Sequence, residues 1–430
     1  MPEASLNVAI VGAGIAGLSA AIAISRAGHE VTIYEQSTSK SETGAAITIT
    51  PNGCRILDAW GFDHKAAHFT EAKQVKQVYA DTLEVFQLED LSKVPNEFGG
   101  GFNLYHRADL HSELWRLATE NTHKGQGSVK VKFGCRIIDL IAETGIISLW
   151  NNDPAQYDLV VVADGVKSSL VSKVCASAEP LCRAPRSVFR MLIPFENIMS
   201  DSDLAQMWQS QPAGILTFFL GPKFGRGIHL VTYPCRSSSQ LNIALLHDTH
   251  VEDQSKDDWN EAADKHRMLK EAQNCHELVR KLLDKAEEVH VHRVLTREPL
   301  SRLSEGRAVV IGDAAHPMLP THAQGAVLAI EEAATLGHLL TGFGATGVAE
   351  RMQLYNNLLL ERASVVQILS NFGSYQQARA KSRSRELFAK GSPLYGDAVR
   401  KYFYGWNVLQ EVDRLLSEQV KIADHSLKSC

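Results

Sequence analysis

Leu6-Asn-Val-Ala-Ile-Val-Gly12-Ala-Gly14-Ile-Ala16-Gly17, running on through an Ala-rich segment to Glu-Val-Thr-Ile-Tyr-Glu35-Gln36, decides the architecture of this 430-residue chain. It reads as a buried strand, a glycine turn, a helix and a second strand ending in an acid, the βαβ pattern of a dinucleotide site. Gly12 permits the tight turn, Gly14 lets backbone approach a pyrophosphate, and Gly17, one residue beyond Ala16, lets the helix lie against the sheet. Phosphate charge then falls on the helix N-terminus. Glu35 follows Gly12 by 23 residues and, with Gln36 beside it, ends the second strand, where a carboxylate accepts hydrogen bonds from both ribose hydroxyls. Such a site suits FAD and NAD equally. No residue from Leu6 to Ser25 is charged, but three glycines and Asn7 interrupt the run and no Lys or Arg precedes it. A buried strand and helix are therefore expected rather than a membrane span or a signal peptide.

Working outward, the length allows two or three domains, and 44% hydrophobic residues suffice for a sizeable core. A net charge of −5 without a long basic run excludes a phosphate-tracking nucleic-acid surface. The seven cysteines are scattered, with no CxxC pair, and read as reduced thiols of a cytoplasmic protein. The histidines show no recognised metal-ligand spacing, and His64 and His68 are expected on a polar helix face.

Beyond Glu35, Gly44-Ala-Ala46-Ile-Thr48-Ile-Thr-Pro51-Asn-Gly53 reads as an alternating strand stopped by a Pro-Asn-Gly turn, with a helix from Cys54 to Trp60. Residues 75–87 read as exposed strands and Gly99-Gly-Gly101 as a mobile loop. Arg107 stands at the start of an amphipathic helix marked by Leu110, Leu114 and Leu117. Two further strands, near 129–140 and 144–150, lead to the apolar run Tyr157-Asp-Leu-Val-Val-Val-Ala163, a buried parallel-type strand that turns through Asp164-Gly165 into serine-rich helix-start chemistry. From about 183 to 300, short β-rich segments at 187–195, 214–221, 227–233 and 240–247 predict an inserted antiparallel sheet, and 252–290 reads as charged helix. Arg190 and Tyr233 are polar side chains inside those strands, open to a substrate role or, alternatively, to burial of Arg190 by a partner carboxylate and a place for Tyr233 at the sheet rim. The chain then returns to apolar strand in Gly306 to Ile311, followed by Gly312-Asp313-Ala-Ala-His-Pro317-Met-Leu-Pro-Thr-His322-Ala-Gln-Gly325-Ala326. A strand ending in Gly-Asp puts a carboxylate at the sheet edge where open α/β sheets bind ligands, and Gly325-Ala326 opens a helix whose free N–H groups can hold an anion. Residues 350–388 and 408–424 read as amphipathic helices.

Together these readings predict an α/β fold: a Rossmann-like domain over 1–182 and 301–345, an inserted antiparallel-β substrate domain over 183–300, and a C-terminal helical region over 346–430. Gly12-x-Gly14-x-x-Gly17 with Glu35, Asp164-Gly165, and Gly312-Asp313 followed by His-Pro and Gln-Gly resemble, in order and spacing, the single-component FAD-dependent aromatic hydroxylases of the para-hydroxybenzoate and salicylate hydroxylase type. His229 to Arg236 and Tyr404-Gly-Trp406 look most like the fungal salicylate-hydroxylase-like monooxygenases of natural-product or aromatic-catabolic pathways. The resemblance implies FAD as cofactor, NADPH or NADH as co-substrate, O2 and a small aromatic substrate, in a monomer or homodimer. It gives Glu35 the adenosine ribose, the three glycines the pyrophosphate, Arg107 a flavin phosphate or ribityl contact, and Asp313 the ribityl or pyrophosphate hydroxyls. Asp164-Gly165 would serve FAD and the nicotinamide, while Pro317 and Gly325-Ala326 would lie along the isoalloxazine, with Ala46 nearby and Thr48 facing substrate. The implied chemistry is reduction of FAD by NAD(P)H, formation of a C4a-hydroperoxide with O2, and attack by an electron-rich aromatic carbon, with or without dearomatisation. Arg190 would hold a phenolate, and Tyr233 or His322 would relay a proton. Many relatives have a more glycine-rich loop where this chain has Thr-His322-Ala323, so Ala323 is expected to restrict it. An oxidase, reductase or epoxidase on the same fold, and an escort-type binding protein without catalysis, are the rival readings.

Overall fold

The strand Asn7–Val11 lies at the centre of a six-stranded sheet, where four of its five side chains are buried. The computed structural model describes residues 5–40, 44–120, 123, 125–209, 213–221, 227–250, 260–372, 377–388 and 396–428. In this sheet the strand order is Ser304–Glu305, Ala308–Val310, Leu159–Val162, Asn7–Val11, Glu30–Tyr34 and Val129–Lys132, parallel throughout except for the short first strand. Val8 pairs with both Leu159 and Val31, and Val160 pairs with Ala308. Because these strands run in one direction, Gly12, Asp164 and Asp313 all emerge at the same carboxyl edge. The near-continuous Val and Ile content follows from burial on both faces.

Helix Ile15–Arg26 covers one face and packs against helix Gly325–Leu340. Their close approach depends on Gly337, where a Cβ would come within 2.6 Å of the Ala23 carbonyl oxygen.

The second sheet has eight strands, ordered Asn260–Ala262, His290–His292, Arg186–Pro194, Gln240–Asp248, Ile228–Cys235, Gly214–Leu220, Gln74–Tyr79 and Val85–Asp90. Residues 74–90 thus join this sheet, Gln74–Tyr79 pairing in parallel with Gly214–Leu220, and Val78 is buried rather than exposed. Alternation sorts its two faces. Phe189, Met191, Ile193, Phe218, Leu230 and Ile243 point to a core closed by helices Lys265–Glu271 and Glu277–Asp284. Each such burial is worth about 1.5–3 kcal/mol. The opposite face presents Arg190, Tyr233 and Asn242, together with Leu192, Ile215 and Val231, toward the first half of the chain.

Several local expectations are corrected. Pro51-Asn-Gly53 is no turn but the first turn of helix Pro51–Ala59, since proline at N1 is preset for helical φ. Gly99 ends the short helix Val94–Phe98 at φ 68°, and a Cβ on Gly100 would sit 2.4 Å from the Pro51 carbonyl oxygen, so the glycine run is packed against that helix. His64 and His68 lie in a turn; His64 bonds Asp58 at 2.6 Å and the Tyr105 hydroxyl at 2.5 Å. In 252–290 the described part holds two short helices and two strand segments, while 251–259 lie outside the described residues. The C-terminal part comprises helices Val348–Phe372, Gln377–Leu387, Gly396–Tyr404 and Val408–Lys428. Among the described residues, no helix is long and apolar enough to cross a membrane.

Candidate active site

At the carboxyl edge of the first sheet the three glycines behave differently. Gly12 takes φ 101°, and a Cβ there would lie 2.5 Å from the Ala163 carbonyl oxygen. At Gly17 a Cβ would come within 2.0 Å of the Gly12 carbonyl oxygen, so the helix can reach the turn only without a side chain. Gly14 has no atom within 4 Å of its Cβ position and faces open space just before the helix Ile15–Arg26. Glu35 closes the turn from the other side: its Oε2 accepts from the Ala13 N–H at 2.8 Å and its Oε1 from the Ser37 N–H and hydroxyl, both at 2.8 Å. Gln36 is exposed beside it, and Ala16 packs under the third loop, its Cβ 2.8 Å from where a Cβ on Gly312 would stand.

The second loop places Asp164 and Gly165 next to this turn, with Gly165 at φ 82° and open space around it. Burial pushes the Asp164 carboxyl up to about 6, against the opposing pull of the Ser168 hydroxyl and Arg297. Its Oδ1 is buried without a hydrogen-bond partner. A buried, unsatisfied acceptor beside an open glycine cradle fits a ligand rich in hydroxyls and phosphate, such as FAD.

In the third loop, Gly312 takes φ 63° and its N–H donates to Glu332 at 2.8 Å, which leaves the Asp313 carboxylate exposed in the cleft, its Oδ1 3.9 Å from the Cβ position of Gly325. Burial works against charging the His316 ring, but Glu332, 2.9 Å from its Nε2, outweighs this and raises its pKa. Pro317 is buried, and Ala323 takes the left-handed φ of 54° immediately before Gln324, Gly325 and Ala326 start the long helix. The expected restriction at Ala323 is therefore visible as backbone in a region that L residues seldom occupy.

The polar residues of the middle sheet converge on the same cleft. Arg190 is half-buried, desolvation pulls its pKa down, and its charge is felt by Tyr233, Arg107 and Asp313. Tyr233 shares a hydrogen bond with the Thr48 side chain, and burial pushes its phenol up to about 12 despite Arg190. Arg107 opens helix Arg107–Thr119, and Gly44 makes room for it, a Cβ there meeting Arg107 Cδ at 2.7 Å. Ala46 is buried, its N–H donating to Asn242 Oδ1 at 3.3 Å, which ties the Thr48 strand to the sheet. Burial pulls His292 down to about 3, with Arg190 and Arg107 adding to the effect. Tyr233 also belongs to a buried cluster with Phe98, Phe102 and Leu104, against which Leu192 and Tyr404 pack. His322 stands apart, its ring 5.3 Å from Phe403 and its Nδ1 3.1 Å from the Thr321 hydroxyl, and burial lowers it to about 4.

Residues 151–371 match the family model described as an FAD binding domain, just over half of the chain. Over 86% of its length the chain is 31% identical to the FAD-dependent monooxygenase cfoG of Aspergillus candidus, of which 85% is covered. The chain belongs to the FAD-dependent monooxygenases. Residues 10–82 of this monooxygenase also match the model for an NAD(P)-binding Rossmann-like domain, consistent with FAD as cofactor and NAD(P)H as co-substrate. It is 29% identical to hispidin-3-hydroxylase of Neonothopanus nambi, over 85% of this chain and 87% of that protein. In fold it is similar to a salicylate hydroxylase substrate complex, with a TM-score of 0.76 and 20% identity over 96% of this chain and 98% of that one.

Sequence reading missed Asn242, His292, the His316–Glu332 pair, and a buried set around Glu331. One signal was available: Glu331-Glu332 interrupts an otherwise apolar buried helix, where two acids must find partners. On the back of the middle sheet, His247, His250 and Glu271 offer ligand atoms within 4.8 Å of one another. There His250 Nε2 bonds Glu271 at 2.8 Å, and burial lowers His247 to about 4, with Arg267 and Arg186 contributing.

Proposed function

We propose that this monooxygenase hydroxylates a phenolic or related aromatic small molecule, with substrate held between the middle sheet and the start of helix Gly325–Leu340. The observation that carries this reading is the convergence of Arg190, Thr48-bonded Tyr233 and Asp313, with Tyr233 rooted in a buried cluster rich in aromatic side chains. The hydroxylase names of its relatives support the same substrate class.

When bound, FAD supplies the redox chemistry, taking electrons from NAD(P)H and activating O2. Glu35 would hold the adenosine ribose, and Gly12, Gly14, Ala16 and Gly17 the pyrophosphate at the helix N-terminus. Asp164-Gly165, Arg107 and Gly312-Asp313 would hold phosphate and hydroxyl groups, with Gln36 at the adenosine end. Ala46, Pro317, Gly325 and Ala326 would border the ring, where the helix N–H groups favour negative charge. Arg190 would hold a phenolate oxygen of the substrate. Tyr233 keeps its proton at neutral pH, so it donates to a substrate oxygen and passes a proton by way of Thr48. His322 is the weaker relay, since its ring lies against the Thr321 hydroxyl and Phe403. Phe98, Phe102 and Tyr404 exclude water and so strengthen each polar contact. The segments 1–182, 183–300, 301–345 and 346–430 are proposed as the working units, the first lending residues 74–90 to the sheet of the second.

The test is NAD(P)H oxidation with a panel of phenols under labelled oxygen. One labelled oxygen atom in the product is expected. Substrate-stimulated NAD(P)H oxidation that yields no labelled product across the panel would refute hydroxylation.

A further inference from the structure

Beneath the start of helix Gly325–Leu340 lies a buried polar chain. Gln324, 2% exposed, donates from Nε2 to the Thr50 hydroxyl at 3.0 Å and to the His322 carbonyl at 3.2 Å. Asn52 Nδ2 donates to Gln324 Oε1 at 3.2 Å and to Glu331 Oε1 at 2.7 Å. Glu331, 1% exposed, is held by Arg362 through two bonds of 2.8 Å. Arg362 then reaches the C-terminal segment, donating to the carbonyls of Tyr402 at 3.0 Å and Phe403 at 3.3 Å, with Trp406 stacked 4.0 Å from its guanidinium. Arg55 grips the same segment at the carbonyls of Tyr404 and Trp406, both at 2.7 Å. Tyr404 packs in turn on Phe98 and Phe102, in the buried cluster that also holds Tyr233.

A fully buried ion pair is a poor source of stability, because desolvation offsets most of its attraction. Its placement here has two consequences. Glu331 lies within two turns of the helix start, so without Arg362 its charge would oppose the positive helix end and any anion held there. Arg362 also supplies the donors for the Tyr402 and Phe403 carbonyls, beside those that Arg55 gives to Tyr404 and Trp406.

We propose that Glu331 and Arg362 are a positioning pair that joins the substrate wall Tyr402–Trp406 to the flavin-facing start of helix Gly325–Leu340. The pair has two separable jobs: it balances charge beneath the helix start, and it clamps the wall. This inference rests on the reading that the flavin ring lies at Gly325.

The experiment compares the holoenzyme, Arg362→Met and the charge-balanced Glu331→Gln/Arg362→Met. Two readouts are taken: the midpoint potential of the bound FAD, and hydrogen–deuterium exchange of the backbone over 398–410. In Arg362→Met the potential is expected to become more negative, because an uncompensated Glu331 disfavours the reduced anion, and exchange over 398–410 to quicken. In the double variant the potential is expected to return toward wild type while exchange stays fast. Where Arg362→Met does not fold, exchange in the double variant decides. An unchanged potential in the folded single variant, or wild-type exchange in the double variant, overturns the proposal. A wild-type protein that takes up no FAD refutes the underlying flavin reading instead, a result distinct from either.

Discussion

Gly14 and Gly17 stand three residues apart in one motif, yet alanine at the two positions should do opposite things. Gly17→Ala sets a methyl 2.0 Å from the Gly12 carbonyl oxygen, a backbone atom that cannot swing aside. The helix must move off the sheet, and overpacking of this kind costs about 1–3 kcal/mol in the apoprotein. Gly14 has φ −73° and ψ −174°, which alanine adopts freely, and no atom stands within 4 Å of the new methyl. Gly14→Ala should leave the apoprotein as stable as wild type, or up to about 0.4–1 kcal/mol more stable through a less flexible unfolded chain. The methyl does occupy the space through which a pyrophosphate would meet the helix N–H groups. Loss of one hydrogen bond to a charged group is worth about 1.5–3 kcal/mol, or roughly 10–150-fold in FAD affinity. Urea unfolding of the two apoproteins, together with fluorescence titration of FAD, measures both quantities. Wild-type FAD affinity in Gly14→Ala would remove the pyrophosphate from this loop, and an unperturbed Gly17→Ala apoprotein would refute the packing argument.

Other consequences can be measured on the same preparations. The Asp164 carboxyl lies at about 6 rather than its ordinary 3.8, so the folded apoprotein holds a proton that the unfolded chain has lost, and stability should fall as pH rises from about 4 to 6. At ~1.36 kcal/mol per pH unit the full effect is about 3 kcal/mol, and partial exposure reduces it to roughly 1–2. Asp164→Asn should recover that amount at pH 8 and flatten the profile; a profile as steep as wild type would show that another group titrates. Ala323→Gly should raise stability by about 0.5–1 kcal/mol, because the left-handed conformation costs an L residue about 1–2 kcal/mol and glycine's extra chain entropy offsets part of the relief. A lower melting temperature would contradict it. Asp313→Ala should weaken FAD retention with little change in apoprotein stability, since the carboxylate is exposed in the cleft. Equilibrium dialysis showing wild-type affinity would take Asp313 out of the cofactor site.

Much of the first sheet was legible because its signals are local. Gly12, Gly14 and Gly17 sit in one turn, and the strands Asn7–Val11, Leu159–Val162 and Ala308–Val310 announce themselves as uncharged apolar runs. Arg190 and Tyr233 drew notice in the same local way, as polar groups within largely apolar strands. Legibility failed where a partner is remote in sequence. Residues 75–87 read as exposed, which holds for the outer strand Val85–Asp90 but fails at Val78, because the chain that covers it begins at residue 214. Pro51 was misread since proline followed by Asn-Gly serves turns and helix starts alike, and only the packing of helix Pro51–Ala59 against Gly325–Leu340 selects one. Arg362 could not be singled out in a charged helix, for nothing near it in sequence shows that it alone turns inward to Glu331.

The strand order carries a message about synthesis of the chain. Leu159–Val162 lies between Asn7–Val11 and Ala308–Val310, while Gln74–Tyr79 waits for Gly214–Leu220. A nascent chain therefore carries open strand edges in both sheets until residues 214–220 and then 308–310 have left the ribosome. Unpaired edges invite wrong partners, so the slow, aggregation-exposed stage is built into the chain's connectivity. Destabilising either late strand should act first on the yield of folded protein and only afterwards on its chemistry.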